Sequence, residues 1–170
     1  MPDDSSLVLS VSALFVEREA RRRREQEAEE QLKQREREEL AAFRQRLEDF
    51  QLSDDRIHAV LDRIRRAFDR GETELLLTSF PSSFCSDQGR AIGNADLPPI
   101  NKPDPSKTEA DPKPAWIMTL PGGAHVVYDY WKSNLKPGGF QFSARIINFK
   151  DGRPGDVGLF LSWPRSMLDA

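Results

Sequence analysis

The chain contains few of the residues from which metal sites and disulfides are built. Its 170 residues include one cysteine, Cys85, and two histidines, His58 and His125. A single cysteine excludes a disulfide within the chain, and one cysteine with two separated histidines provides no zinc spacing. The acidic residues do not follow the pattern of a calcium loop, and neither a P-loop nor a dinucleotide-binding fingerprint occurs. The sequence therefore predicts no metal site and no cofactor.

Long apolar runs and a strong net charge are also missing. The net charge of −3 is too small to indicate a general attraction to nucleic acid or anionic membranes. The largely apolar run Leu7–Val16 is shorter than the roughly 20 residues that cross a bilayer. A secretory signal would begin with basic residues, whereas this chain begins with Asp3 and Asp4. We expect segment 1–16 to dock on the protein or on a second copy. The alternative is that segment 1–16 binds peripherally to a membrane surface.

The stretch Glu17–Asp49 is rich in Glu, Arg, Gln and Ala and contains no Gly or Pro. Opposite charges recur four residues apart, as in Glu17–Arg21 and Glu29–Lys33, which supports a helix. The stretch offers almost no apolar face until Leu40. We therefore expect residues 17–52 to form a charged helical arm that projects from a globular body.

An apolar seam begins within this arm. Leu40, Phe43, Leu47 and Phe50 recur at alternating spacings of three and four residues, a pattern typical of a coiled coil. The seam predicts self-association or pairing with a partner helix. The alternative is that the seam packs on the protein's own body and leaves a monomer. Ser53 is a favourable N-cap, so we expect a helix break there, followed by a second helix that ends at Gly71.

Residues 53–170 are predicted to form an α+β body. We expect a small antiparallel three-stranded sheet, with strands at about 74–80, 140–149 and 157–163, packed by helices on one face. The last two strands would form a hairpin across the loop 150–156. A short helix is expected at 84–93 and a longer one from Pro121 to Leu135. Residues 94–114 contain six prolines and predict a flexible loop.

Three local features could carry chemistry. Cys85 is expected near a helix start, where a thiolate would be stabilised, although a lone cysteine is more often a buried apolar group. Gly122 and Gly123 precede a helix and could bind an anion, but a simple helix start explains them better. The polar residues of FCSDQGR, namely Asp87, Gln88 and Arg90, could orient the short helix or line a small site.

Two arginine clusters make nucleic acid the main rival partner. One is the run Arg21, Arg22, Arg23 and Arg24, and the other includes Arg63 and Arg66 on the helix before the first strand. Phosphate contacts need clustered cations. Acidic residues follow or interrupt both clusters, so solvated faces with internal ion pairs explain them better.

The segments ELLLTSFPSSFCSDQGRAI (74–92) and PGDVGLFLSWP (154–164) resemble a family of small uncharacterised bacterial proteins, mainly alphaproteobacterial. The resemblance covers most of the body and not the arm. It implies a bacterial, cytoplasmic protein, and it implies no activity or site residues.

These observations favour a non-enzymatic interaction or assembly module that self-associates through the arm. A nucleic-acid-associated protein and a small thiol-dependent enzyme built around Cys85 are the alternatives. A homo-oligomer or a partner helix is the expected partner, and membrane association is not favoured.

Overall fold

The computed structural model describes residues 9–93 and 114–169. The chain divides into two units, one up to Phe43 and the other from Arg44 onwards. The predicted proline-rich loop lies outside the described residues except for Pro114, and so do Leu7 and Val8 of the apolar N-terminal run.

The described part of the N-terminal unit is helical from Val11 onwards. Helix α1 spans Val11–Glu48 and has no buried residue. It begins where the Ser10 hydroxyl accepts a hydrogen bond from the backbone N–H of Ala13 at 3.1 Å. Lys33 and Glu29 form one of the predicted i,i+4 ion pairs at 3.0 Å. The predicted long charged helix is therefore confirmed.

The predicted helix break at Ser53 is confirmed. Helix α1 ends at Glu48, and helix α2 spans Asp54–Asp69. The Ser53 hydroxyl accepts a hydrogen bond from the backbone N–H of Arg56 at 3.3 Å. Gly71, with a φ of 79°, ends α2 in a Schellman motif, in which the Glu72 N–H donates to the Ala67 carbonyl at 3.0 Å.

A three-stranded antiparallel sheet forms the centre of the second unit, as predicted. Its strands are β1 (Glu74–Pro81), β2 (Gln141–Ile146) and β5 (Asp156–Ser162), with β5 in the middle. Leu161 of β5 pairs with Leu75 of β1 on one side and with Phe142 of β2 on the other.

The predicted strand 140–149 extends too far, because β2 ends at Ile146. A second, two-stranded ladder, β3 (Phe149–Lys150) with β4 (Arg153–Pro154), follows β2. Asp151 and Gly152 connect β3 to β4 with φ values of 50° and 72°, which is the left-handed backbone that a tight hairpin turn requires.

The leucine run in β1 does not lie in a strand buried on both faces. Leu75 and Leu77 pack against the core, whereas Leu76 is 39% exposed. The register shifts between Leu76 and Thr78, as it does when a β-bulge inserts one extra residue. The predicted strand is therefore present, with Leu75 and Leu77 against the core and Leu76 partly exposed.

The predicted helix at 84–93 is also interrupted. A 3₁₀ turn covers Ser82–Phe84, and helix α3 spans only Arg90–Gly93. Between them, Cys85 is extended, and Gln88 and Gly89 have φ values of 59° and 82°. These conformations cannot belong to a right-handed helix.

The predicted helix after Pro121 is present and changes its winding along its length. Helix α4 spans Gly122–Tyr130, followed by a π-helical segment, Trp131–Leu135, and a 3₁₀ turn, Lys136–Gly138. Gly139 ends the run with a φ of 96°. Two further 3₁₀ turns cover Ile117–Thr119 and Met167–Asp169.

Helices α2 and α4 cover one face of the sheet. Ile64 and Ala67 of α2 are buried in one cluster with Leu135, Leu161 and Trp163. On the opposite face, the Arg145 guanidinium lies 3.9 Å from the ring centroid of Phe160. These contacts confirm the predicted α+β class.

Candidate functional site

The end of α1 packs against the start of α4 inside the second unit. The backbone N–H of Gly122 donates a hydrogen bond to Glu48 Oε2 at 2.9 Å, whereas the N-cap residue Pro121 provides no side-chain bond. A Cβ atom at Gly123 would overlap the Leu47 carbonyl oxygen and lie 2.7 Å from Phe50 Cβ. The helix start at Gly122 thus does bind an anion, and the anion is the chain's own Glu48 carboxylate.

An apolar cavity of about 380 Å³ lies beside this junction. The end of α1, the following turn, α2, β1 and α4 all contribute to its walls. Its apolar lining includes Leu47, Phe50, Val60, Leu77, Val127 and Trp131. Pockets of 300–1,000 Å³ with apolar walls and few polar groups are the usual binding places for small molecules. The arrangement can accommodate an apolar group, and it contains no catalytic constellation among the described lining residues.

Two arginines of α2 complete the wall of the cavity. The Arg56 guanidinium donates to the Gln51 carbonyl at 2.7 Å and lies 4.8 Å from the Phe50 ring centroid. Arg63 donates to the Leu76 carbonyl at 2.7 Å. Both guanidinium groups therefore lie beside the apolar space, each held by a backbone oxygen.

The π-helical segment positions an aromatic wall of the same cavity. Trp131 is its first residue, and the indole N–H of Trp131 donates to the Phe140 carbonyl at 2.9 Å. Phe142 of β2 packs on this indole with ring centroids 5.7 Å apart. Single π turns occur often at functional sites. No sequence pattern indicated the π turn, because the apolar spacing of this segment is that of an ordinary helix.

The structure divides the predicted seam between the two units. Leu40 and Phe43 belong to the N-terminal unit, and Leu47 and Phe50 belong to the second. Leu40 is 44% exposed, whereas Leu47 and Phe50 are half-buried and line the cavity. The four residues therefore do not form one uniformly exposed stripe, because the last two contribute to packing within the chain.

A second group of apolar side chains is exposed at the beginning of α1. Phe15 and Leu14 are 56% and 45% exposed, and Arg18 lies 4.9 Å from the ring centroid of Phe15. The remaining exposed members are Leu9, Val11 and Val16. Exposed apolar side chains grouped in this way are typical of interaction surfaces.

Cys85 lies in a setting that suppresses thiolate chemistry. The side chain is 3% exposed. Burial raises the pKa of its thiol to about 11, and the neighbouring Asp87 carboxylate adds to the rise. The expected helix start is not present, because Cys85 follows a 3₁₀ turn in extended conformation. Within the described residues no histidine bonds to it, and His125 contacts the Leu120 carbonyl instead at 3.2 Å.

Asp87 of FCSDQGR has one of the two roles that the sequence left open. Asp87 accepts hydrogen bonds from the backbone N–H groups of Gly89 and Ala91, at 3.0 and 2.8 Å, and so orients α3. Gln88 and Arg90 line a cleft of about 420 Å³ together with Arg153.

The predicted phosphate-contacting arginines lie on two different helices. Arg21 to Arg24 are exposed on α1, and Arg24 donates to the Ala20 carbonyl at 3.4 Å. Arg66 is exposed on α2, and Arg63 is held by the Leu76 carbonyl. Arg65 of α2 pairs with Asp62 at 3.3 Å, and Arg70, the C-cap residue of α2, pairs with Glu72 at 3.0 Å. The hydrogen bond to Glu72 raises the pKa of Arg70 and lowers that of Glu72.

Across residues 9–93 and 114–169, no group of three or more His, Cys, Asp or Glu side chains is arranged to hold a metal ion. In the same residues, no helix has the length and apolar character needed to cross a membrane. The chain matches no protein-family model, no curated protein and no solved structure. The resemblance to small bacterial proteins therefore stays a prediction.

Proposed function

We propose that the chain is a non-enzymatic assembly module that associates with a second copy through α1, as a coiled coil. The observation that carries the proposal is that α1, Val11–Glu48, has no buried residue, although apolar side chains are exposed on it. The single cysteine fits a reducing compartment, and we propose the cytoplasm.

A helix that is polar all round gains little from burial and is marginal in isolation. Each i,i+4 ion pair, such as Glu29–Lys33, contributes only about 0.2–0.5 kcal/mol. A second helix would cover Leu14, Phe15 and Leu40, and burial of these side chains would stabilise both copies.

Within the seam, the structure favours Leu40 over Leu47 as a contact with another copy. Leu47 and Phe50 already line the cavity of the second unit. Leu40 and the N-terminal pair Leu14 and Phe15 are exposed. The proposed interface therefore lies within the N-terminal unit, up to Phe43.

Co-purification of two differently tagged full-length copies tests this proposal. The unchanged chains should co-purify, and the double substitution Leu14→Asp with Phe15→Asp should weaken capture at least tenfold. The matched control is Met167→Asp with Leu168→Asp, which alters two exposed apolar residues of the second unit and should leave capture unchanged. Equal capture by both double variants would refute a role for the N-terminal unit.

The apolar cavity supports a second candidate function, which is the binding of a small apolar molecule. The supporting observation is the apolar wall beside the cations Arg56 and Arg63. The dye ANS, which joins an aromatic body to a sulfonate, should bind the native chain and alter Trp131 fluorescence. Val127→Phe should reduce binding by filling the cavity, whereas Met118→Phe, at an exposed position, should not. Equal dye binding by both variants would mean that the dye binds outside this cavity.

A further inference from the structure

We infer that the ligand of the apolar cavity is a carboxylate with one short alkyl chain, an inference that rests on the proposed binding of a small apolar molecule. The carboxylate lies at Arg56 or Arg63, and the chain lies in the cavity. Three observations support this ligand: the charge on the cavity wall, the hydrogen-bond donors of the two arginines, and the cavity volume.

The wall of the cavity carries charge of one sign. All of its described lining residues belong to the second unit. Among them the charged residues are Arg56 and Arg63, and none is acidic. Thr78 and Tyr130 contribute hydroxyl groups, and the rest of the lining is largely apolar. Because low-dielectric walls concentrate the field of the charges that line them, the cavity favours an anionic ligand over a neutral or cationic one.

The two arginines can bind a carboxylate and keep the bonds that hold them. Arg56 donates to the Gln51 carbonyl, and Arg63 donates to the Leu76 carbonyl. Both acceptors are neutral, so these bonds provide no counter-ion. A guanidinium has five N–H donors in a planar fork that matches the two oxygens of a carboxylate. Since a backbone oxygen already orients each group, less side-chain freedom is lost when the ligand binds.

The positions of the arginines place the head group at the α2 side of the cavity. Arg56 and Arg63 are seven residues apart on α2, which is close to two helical turns, so both stand on the same face. At a rise of 1.5 Å per residue, they are separated by about 10.5 Å along the helix axis. One carboxylate therefore binds at one of them, and a double substitution removes both positions.

The cavity volume limits the apolar part of the ligand. A volume of about 380 Å³ lies near the lower end of the range of 300–1,000 Å³ that is usual for small-molecule pockets. One short chain fits this space, whereas the two long chains of a membrane lipid do not. Burial of the chain against Leu77, Val127 and Trp131 stabilises the complex in proportion to the apolar area removed from water. The ligand is therefore a free single-chain carboxylate.

Titration calorimetry of the full-length chain with octanoate and octan-1-ol tests this inference. The two probes share one chain length and differ in the charge of the head group. We expect octanoate to bind more tightly, and 0.5 M salt to weaken its binding. The double variant Arg56→Gln, Arg63→Gln should bind octanoate about tenfold more weakly, because a charge-assisted hydrogen bond is lost. Its unchanged binding of octan-1-ol would show that the cavity remains intact.

The matched control is Arg65→Gln with Arg66→Gln, which removes the same charge from exposed positions of α2 and should leave octanoate binding unchanged. Equal weakening in both double variants would overturn the inference, because only the net charge would then matter. Octan-1-ol binding as tight as octanoate would also overturn it, and would leave the binding of apolar molecules intact. Val127→Phe should weaken both probes. If neither probe binds the unchanged chain, this inference and the cavity's proposed function are both wrong.

Discussion

The carboxylate of Glu48, the last residue of α1, binds the backbone N–H of Gly122 at the start of α4. The two residues are 74 positions apart in the chain. The bond satisfies one of the unpaired N–H groups of a helix whose N-cap is a proline, and it places a negative charge at the positive end of the helix dipole. The end of α1 is therefore part of the second unit's structure.

We expect Glu48→Ala to lower the free energy of unfolding of the second unit by about 0.5–1 kcal/mol, because α4 loses its capping acceptor. Glu48→Gln keeps a hydrogen-bond acceptor and should lower the free energy of unfolding by less. Urea unfolding followed by tryptophan fluorescence measures both. Glu30→Ala, at an exposed position on α1, is the control. Equal stability of Glu48→Ala and the control would show that the cap contributes nothing.

Gly123 should tolerate no side chain. A Cβ atom there would overlap the Leu47 carbonyl oxygen, so Gly123→Ala has to separate α4 from the end of α1. We expect the free energy of unfolding to fall by about 1–3 kcal/mol, as it does at other overpacked sites. Gly93→Ala is the matched control because a Cβ atom at Gly93 would meet nothing within 4 Å. Thermal unfolding of the two variants gives the comparison, and similar midpoints would contradict the close approach.

Leu47→Asp should destabilise the second unit. The side chain is half-buried in the cavity wall, and a carboxylate there would lose solvation without a partner. We expect the free energy of unfolding of the second unit to fall by about 2–4 kcal/mol. Leu14→Asp, at an exposed position, should leave the unfolding midpoint of the second unit unchanged. A Leu47→Asp protein as stable as the unchanged chain would mean that Leu47 is free to serve an intermolecular seam.

Cys85 should react slowly with iodoacetamide in the native protein at neutral pH. With the pKa of its thiol raised to about 11, the reactive thiolate is a fraction on the order of 10⁻⁴ at pH 7. Raising the pH toward 11 should increase the labelling rate, since the thiolate fraction rises tenfold per pH unit. Labelling followed by mass spectrometry, with urea-unfolded protein as the reference, measures the rate. Rapid native labelling at pH 7 would revive a thiol-dependent activity.

The elements with strong local signals could be predicted from the sequence. Ser53 followed by two aspartates predicted the helix break because N-capping depends on neighbouring residues alone. Gly71 predicted the end of α2 for the same reason. Alternating apolar residues from Phe140 predicted β2, since side chains on a strand alternate between faces. The turn residues of the loop 150–156 predicted that β5 returns beside it.

Features that depend on distant residues could not be predicted. The Glu48–Gly122 bond joins two helices that are far apart in sequence, so no local pattern contains it. The same holds for Leu47 and Phe50: their heptad spacing marks an apolar face and does not reveal whether that face meets the same chain or another. The bulge at Leu77 likewise follows from pairing with β5.

The candidate cavity was missed because its lining comes from several separate elements. Ala59, Val60, Val127 and Trp131 each follow ordinary helical spacing. The only indication of this cavity in the sequence was the pair Arg56 and Arg63, which lie on the same helix as Ala59 and Val60. Their role beside an apolar wall becomes visible once β1 and α4 are in place.

The mass of the full-length chain in solution, measured by light scattering over a range of concentrations, tests self-association most directly. Self-association predicts twice the chain mass of 19.4 kDa for the unchanged protein, falling to the single-chain mass in the Leu14→Asp, Phe15→Asp variant. A single-chain mass for the unchanged protein at every concentration would contradict self-association.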